Sequence, residues 1–298
     1  MNGSARLALG TAQWGMTYGI ANRTGQPPSD EVDRMLQLGR ERGVELLDTA
    51  HAYGEAEKVL GAQHAATRGY QIVTKTTPLR VSRVGDEHVR RATDGFQESL
   101  TSLGCQRVYG LLVHGADTLL VDGGERIWAA LEQIKAEGRV HSIGVSVYHP
   151  RQLERILDRY RIDVVQLPFS VYDQRFKQQG LLHRLQGMRI EVHARSVFLQ
   201  GLLLLPPDQL PPAFDAIRTH HTDLHTRLRE LGLTPIESCL LYGLQQPEIG
   251  RIIVGCETVD QLKAAIDASA MSTPGALSEL AEFGLLDEAV INPSTWLN

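Results

Sequence analysis

The chain has 298 residues, 42% of them hydrophobic, with a net charge of −5 and a pI near 6.1. This length and apolar content fill one large core or two ordinary domains, and the acidic balance argues against a nucleic-acid or anionic-membrane surface. Three widely spaced cysteines, Cys105, Cys239 and Cys256, form no disulfide framework and fit a reducing compartment.

The opening residues, MNGSARLALG, lack the long apolar run of a secretion signal, so a cytoplasmic location is expected. A strand is predicted near Leu7–Leu9. Helical spacing follows, with Val32, Met35, Leu36 and Gly39 on one face and Gly43 as a stop. Strands are predicted at Glu45–Asp48 and Gln71–Lys75. A second periodic stretch holds Val89, Phe96, Leu100 and Leu103 and stops at Gly104. After a strand at Val108–His114, Ile127, Ala130, Leu131 and Ile134 repeat the helical spacing and Gly138 ends it. Strands follow at Ser142–Ser146, Val164–Leu167 and Arg189–Ala194. The most apolar short stretch, Val197 to Leu205, is broken by Gln200 and Gly201 and stopped by Pro206 and Pro207, too short to span a bilayer. Pro206 to Pro212 reads as a long loop before an extra helix near 213–230. A last strand at Arg251–Gly255 precedes a C-terminal helix and tail.

Most of these strands are apolar throughout, as in parallel sheets covered on both faces. Eight strand–helix alternations predict a single closed parallel (β/α)8 barrel, a TIM barrel, over residues 1–298. The alternative is a doubly wound open sheet. That fold's usual loops, G-x-G-x-x-G after the first strand or G-x-x-x-x-G-K-[ST], are missing.

Three consecutive strands run apolar and finish on an ionisable residue: Asp48, Lys75 and His114. Tyr53 follows the first of them by five positions. In a closed barrel the strand ends converge on one mouth, where active sites are built. A phenol with a pKa near ~10 is a weak donor at neutral pH. A lysine ammonium beside it favours the phenolate, a carboxylate keeps that lysine charged, and a histidine orients a carbonyl oxygen. The set makes a general acid for a carbonyl that receives a hydride, and the hydride requires a bound cofactor.

These segments resemble the aldo-keto reductase superfamily. "LGTAQWG" is similar to the family's first strand and turn, and "LLDTAHAYG" to its signature D-T-A-x-x-Y-G. "VTK", "LLVH", "IGVS", "VVQLPFS" and "RSVFLQGLL" follow in the family's order. The resemblance implies a (β/α)8 barrel that binds NAD(P)H without a Rossmann loop and reduces an aldehyde or ketone, or oxidises an alcohol or sugar. It assigns Tyr53 as proton donor with Asp48, Lys75 and His114. It places Gly10, Thr11, Asp48, Ser146, Gln166, Arg195, Ser196, Phe198, Gln200, Gly201, Gly255, Cys256, Thr258 and Gln261 around the cofactor. Ser146 and Gln166 match residues that bond the nicotinamide carboxamide. The sequence departs from the family where Ser146-Val147 replaces Ser-Asn, and where Arg195 aligns with a tyrosine that stacks on the nicotinamide. Thr258 and Gln261 form a T-x-x-Q capping box whose helix start is a candidate phosphate site. NADP(H) is the family default. Between Arg251 and Lys263 no Lys or Arg occurs, while Glu257 and Asp260 do, so NAD(H) is an alternative.

Other signals point elsewhere. His221 and His225, spaced i, i+4, are expected on a solvated helix face and not at a metal. A metal-dependent barrel hydrolase usually needs a histidine pair after the first strand, which "LALGTAQWG" lacks. Trp14, Met16 and Tyr18 are candidate walls of an apolar substrate pocket, and "INPSTWLN" with Trp296 is a candidate cover for the mouth. A redox-sensing regulatory subunit with little turnover is a further alternative, against which the complete tetrad counts. No metal, nucleic-acid or membrane partner is expected. The partner is a small carbonyl or sugar, and the sequence leaves the oligomeric state open.

Overall fold

The structure, a computed structural model, describes residues 3–22, 24–272 and 275–296. Eight parallel strands close a barrel in sequence order: β1 Leu7–Gly10, β2 Leu46–Asp48, β3 Gln71–Lys75, β4 Val108–Val113, β5 Val140–Ser146, β6 Val164–Pro168, β7 Glu191–Arg195 and β8 Arg251–Gly255. Every predicted strand is present. The boundaries move by a residue or two, and β4 ends just before His114.

The predicted helices form as well. They occupy Ser29–Glu41, Asp86–Leu103 and Glu125–Ala136, with the apolar faces named above turned toward the strands. Gly43, Gly104 and Gly138 all have positive φ, the left-handed backbone that ends a helix without a Cβ penalty. The helix Pro235–Leu244 starts at a full capping box, with Thr234 and Glu237 each bonding the other's backbone N–H and proline at its first position.

Strand periodicity explains where the polar residues go. Ala8, Leu46, Val73, Leu112, Val164 and Ile253 form an apolar layer inside the barrel. Successive side chains alternate faces, so each residue two positions further along points inward one layer higher. Those positions are Gly10, Asp48, Lys75, His114, Gln166 and Gly255. The register levels Gly10 with both Asp48 and Gly255, and sets Asp48 beside Val73 and Lys75 beside Leu112, so the ionisable ends climb from strand to strand. The sequence thus places its ionisable strand ends directly above a hydrophobic plug, at the C-terminal mouth.

Three sequence expectations need correction. The stretch after β7 is not a plain loop. It coils into three 3-10 segments, Leu199–Leu204, Pro207–Gln209 and Pro212–Ile217, and then the helix Arg218–Glu230. His221 on that helix is buried: Tyr172 Oη and the Leu205 carbonyl each lie 2.8 Å from one of its ring nitrogens. The His225 ring lies tilted against that of His221, 4.5 Å between centroids, so this histidine face packs inward. The predicted extra helix is present, but its strongly polar composition misidentified the covered face. Trp296 does not cover the mouth. It packs edge-on against Phe214 at 5.0 Å, on the post-β7 excursion.

Candidate active site

Lys75 is fully buried and its ammonium uses all three N–H donors. It bonds Asp48 Oδ1 at 2.9 Å, Oδ2 at 2.8 Å and the Thr49 carbonyl at 2.8 Å. Asp48 is fixed from the other side by Gln166 Nε2 at 2.6 Å, while its backbone carbonyl accepts from Thr11 N at 2.9 Å. A bidentate, charge-assisted pair of this kind is rigid. Burial pushes the lysine pKa down, and Asp48 opposes that shift.

Tyr53 stands beside this pair. Lys75 Nζ lies 4.8 Å from its ring centroid, and the His114 ring meets it edge-on at 5.8 Å. Two glycines hold the tyrosine loop against the loop after β1. A Cβ on Gly15 would collide with the Tyr53 carbonyl and the Ala56 amide, and one on Gly54 with the Gly15 carbonyl. All four members of the sequence-derived set therefore meet at one mouth.

The electrostatics differ from the expectation. Burial, then the Asp48 charge, drives the Tyr53 phenol above its usual value, and the cation that opposes them is Arg195. Lys75 faces the ring with its N–H donors already spent, so its charge is largely answered by Asp48. His114 is held neutral, with its pKa lowered to about 3 by burial and by the Lys75 and Arg195 charges. A neutral imidazole there can donate or accept one hydrogen bond but carries no charge.

A cavity of about 270 Å³ opens on this mouth. Asp48 and Tyr53 line it together with Gly10, Thr11, Arg195, Ser196, Phe198, Gln200, Gly201, Gly255, Cys256 and Gln261. Lys75 and His114 are not among the lining residues but lie against the Tyr53 ring. Ser146 and Gln166 are buried below the cavity, with the Ser146 hydroxyl 3.5 Å from Gln166 Oε1. Thr258 caps the helix Val259–Ser269 by accepting from the Gln261 amide at 3.2 Å. The loop after β7 bends sharply over the cavity, with Ser196, Leu199 and Gln200 all at positive φ. Such left-handed non-glycine residues cluster at ligand sites.

Tyr18 lines the cavity and accepts from Gln200 Nε2 at 3.1 Å. Met16 is exposed. Trp14 is not a pocket wall: it is buried and donates to the Cys256 carbonyl at 2.9 Å. Sequence reading missed four residues here. Gln13 lines the cavity and abuts Gly255. The Tyr148 ring lies 4.2 Å from the Arg195 guanidinium carbon. Glu31, on the helix Ser29–Glu41, reaches the start of the helix Val259–Ser269, and Arg34 pairs with it from the same helix. Glu31 Oε1 accepts from the Val259 amide at 2.6 Å, and its other oxygen pairs with Arg34. No local motif marks them, because Gln13, Tyr148 and Glu31 make their contacts across the fold.

Among the described residues no group of three or more His, Cys, Asp or Glu stands ready to hold a metal. None of the helices is long and apolar enough to cross a membrane, among the residues described.

Comparison with known proteins agrees with this architecture. The model of the "Aldo/keto reductase family" matches residues 6–275. An uncharacterized oxidoreductase, YqkF, of Bacillus subtilis is 26% identical over 79% of this chain and 81% of its own length. An NADH-specific methylglyoxal reductase of Escherichia coli is 25% identical over 67% of this chain and 65% of its own. Among solved structures, the aldo-keto reductase AKR11C1 of Bacillus halodurans superposes with a TM-score of 0.74 at 20% identity, covering 95% of this chain and 94% of that one.

Proposed function

Because this chain belongs to the aldo/keto reductase family, we propose that it reduces the carbonyl of a small aldehyde, ketone or sugar, or oxidises the corresponding alcohol, with a nicotinamide dinucleotide as redox partner. The observation that carries this reading is the position of Tyr53: its ring stands between the buried Lys75–Asp48 pair and a neutral His114, at the edge of the cavity. When bound, the cofactor supplies the hydride that reaches the carbonyl carbon as the C=O electron pair moves to oxygen.

The protein's own groups do the rest. Tyr53 gives its proton to the carbonyl oxygen and recovers one from solvent. His114 offers a neutral ring to position that oxygen, while Lys75 and Asp48 keep the tyrosine wall rigid. The lining of the cavity supports a nucleotide laid against backbone: Gly10 and Gly255 sit side by side and present no side chain.

Between the two cofactors, the surroundings of the helix Val259–Ser269 favour NAD(H). Its first amide and the neighbouring Arg34 are both answered by the Glu31 carboxylate, and Glu257 adds a second negative charge. A 2′-phosphate brought to this helix start meets two carboxylates.

The test is Tyr53→Phe, assayed with NADH and NADPH against methylglyoxal, D-galacturonate and an aldehyde panel. Loss of turnover by at least about 100-fold with unchanged cofactor binding is expected. Wild-type turnover in the Phe variant refutes the assignment.

A further inference from the structure

Arg195 is a cation without an acidic partner. Its guanidinium donates to the Val147 carbonyl at 3.0 Å and to Ser196 Oγ at 3.3 Å, and lies over the Tyr148 ring at 4.2 Å. These groups fix its position and leave its charge uncancelled. No Asp or Glu of the described residues lies within ion-pair distance of it. Of the two carboxylates that line the cavity, Asp48 is paired with Lys75 at 2.8 Å, while Glu257 accepts from the neutral Gln261 side-chain amide at 3.3 Å and keeps its charge. Arg195 is therefore a cation lining the cavity that no carboxylate pairs, and its charge reaches Tyr53.

Geometry brings any bound nicotinamide ring close to that charge. A carbonyl oxygen that takes the Tyr53 proton sits about 2.8 Å from the phenol oxygen. The carbon donating the hydride then lies about 3–3.5 Å from the carbonyl carbon. The ring thus falls within roughly 6 Å of the phenol. Arg195 lines the same cavity and already acts on that phenol through its charge. The ring is neutral when reduced and cationic when oxidised.

Resting on the reductase reading above, we propose that Arg195 makes the site selective for cofactor oxidation state, holding the reduced dinucleotide and expelling the oxidised one. The transfer step itself is spared. As the electron pair leaves the ring for the carbonyl carbon, the Tyr53 proton passes to the carbonyl oxygen, and the resulting phenolate faces the same guanidinium. Once Tyr53 recovers a proton from solvent, the cationic ring and Arg195 are left as like charges. Release of the oxidised product follows.

The test is isothermal titration of wild type, Arg195→Gln and Arg195→Lys with NADH and with NAD+, at one pH and ionic strength, without substrate. Wild type is expected to bind the reduced form on the order of tenfold tighter, from like charges a few ångströms apart in a partly hydrated site. In Arg195→Gln that ratio should fall toward unity, mainly through tighter NAD+ binding, and Arg195→Lys should keep most of it. Equal wild-type affinities for the two forms overturn the proposal, whether or not the variants fold. So does a wild-type ratio retained in Arg195→Gln. If wild type binds neither NADH nor NADPH, the reductase reading itself falls, an outcome distinct from both.

Discussion

The carboxylate of Glu31 caps the helix that starts at Val259, with 2.6 Å between Oε1 and the amide nitrogen, across 228 positions of sequence. An acid at a helix N-terminus complements the macrodipole. Here it also fills a place that an anionic ligand would take, and it ties up Arg34. Glu31→Gln should free both groups and tighten NADPH binding about twofold to fivefold, leaving NADH binding nearly unchanged. Titration of both nucleotides against the two proteins checks this. An unchanged NADPH affinity removes Glu31 from cofactor choice.

Lys75 and Asp48 form a buried pair with no exposure on the lysine side chain. Removing one partner strands the other's charge. Lys75→Met should cost about 3 kcal/mol or more of folding stability as well as activity. Tyr53→Phe should cost under about 1 kcal/mol. Urea unfolding of the two variants separates them, and equal stabilities contradict the account of the pair.

The histidines give stability a pH dependence. His114 has a folded pKa lowered to about 3 and His225 one lowered to about 4, against 6.5 for the unfolded side chain. Between pH 6.5 and 4.5 the unfolded chain binds more protons at both sites. Stability is therefore lost as pH falls through that window, with a slope near 1.4 kcal/mol per pH unit for each fully displaced proton. Glu57, whose pKa burial raises, works in the opposite sense and offsets part of the loss. Glu191, lowered to about 2 from 4.5, adds loss that begins at the acid edge of the window and grows below it. His114→Gln should flatten the fall in Tm between pH 6.5 and 4.5. An unaltered slope means that His114 is protonated in the folded protein.

Gly15 has no room for a side chain, because a Cβ there would strike the backbone that carries Tyr53. Gly15→Ala should displace the phenol and lower kcat/KM by about 100-fold while cofactor binding changes much less, since misplacing a reacting group by an ångström is that costly. Stopped-flow turnover set beside a cofactor titration is the measurement. Wild-type kcat/KM in the variant shows that the two loops yield without moving Tyr53.

Much of the candidate site was legible in the chain itself. Asp48, Lys75 and His114 each stand two positions beyond an apolar interior residue, Leu46, Val73 and Leu112. A period of two and a closed barrel are enough to bring such residues to one mouth. His221 shows the limit. Its neighbours are polar, so composition placed it in water, yet the post-β7 excursion folds it between its own Leu205 and Tyr172 of the segment after β6. Arg195 was legible as a cofactor neighbour, but its role as the cation acting on Tyr53 was not. That role depends on Lys75 having spent its donors on Asp48 and Thr49.

The sequence by itself determined the eight strands, the helices between them and the layer on which the ionisable residues fall, because these follow from local periods of 2 and 3.6 and from stop signals within a few residues. Tertiary structure alone decided that Glu31 meets the start of the helix at Val259, that Tyr148 lies beneath Arg195, and that His221 is buried. Those contacts join segments whose separation along the chain carries no periodic signal. The Glu31 contact exists because barrel closure sets β1 beside β8, and the others because the segments after β5, β6 and β7 meet once the strands stand side by side.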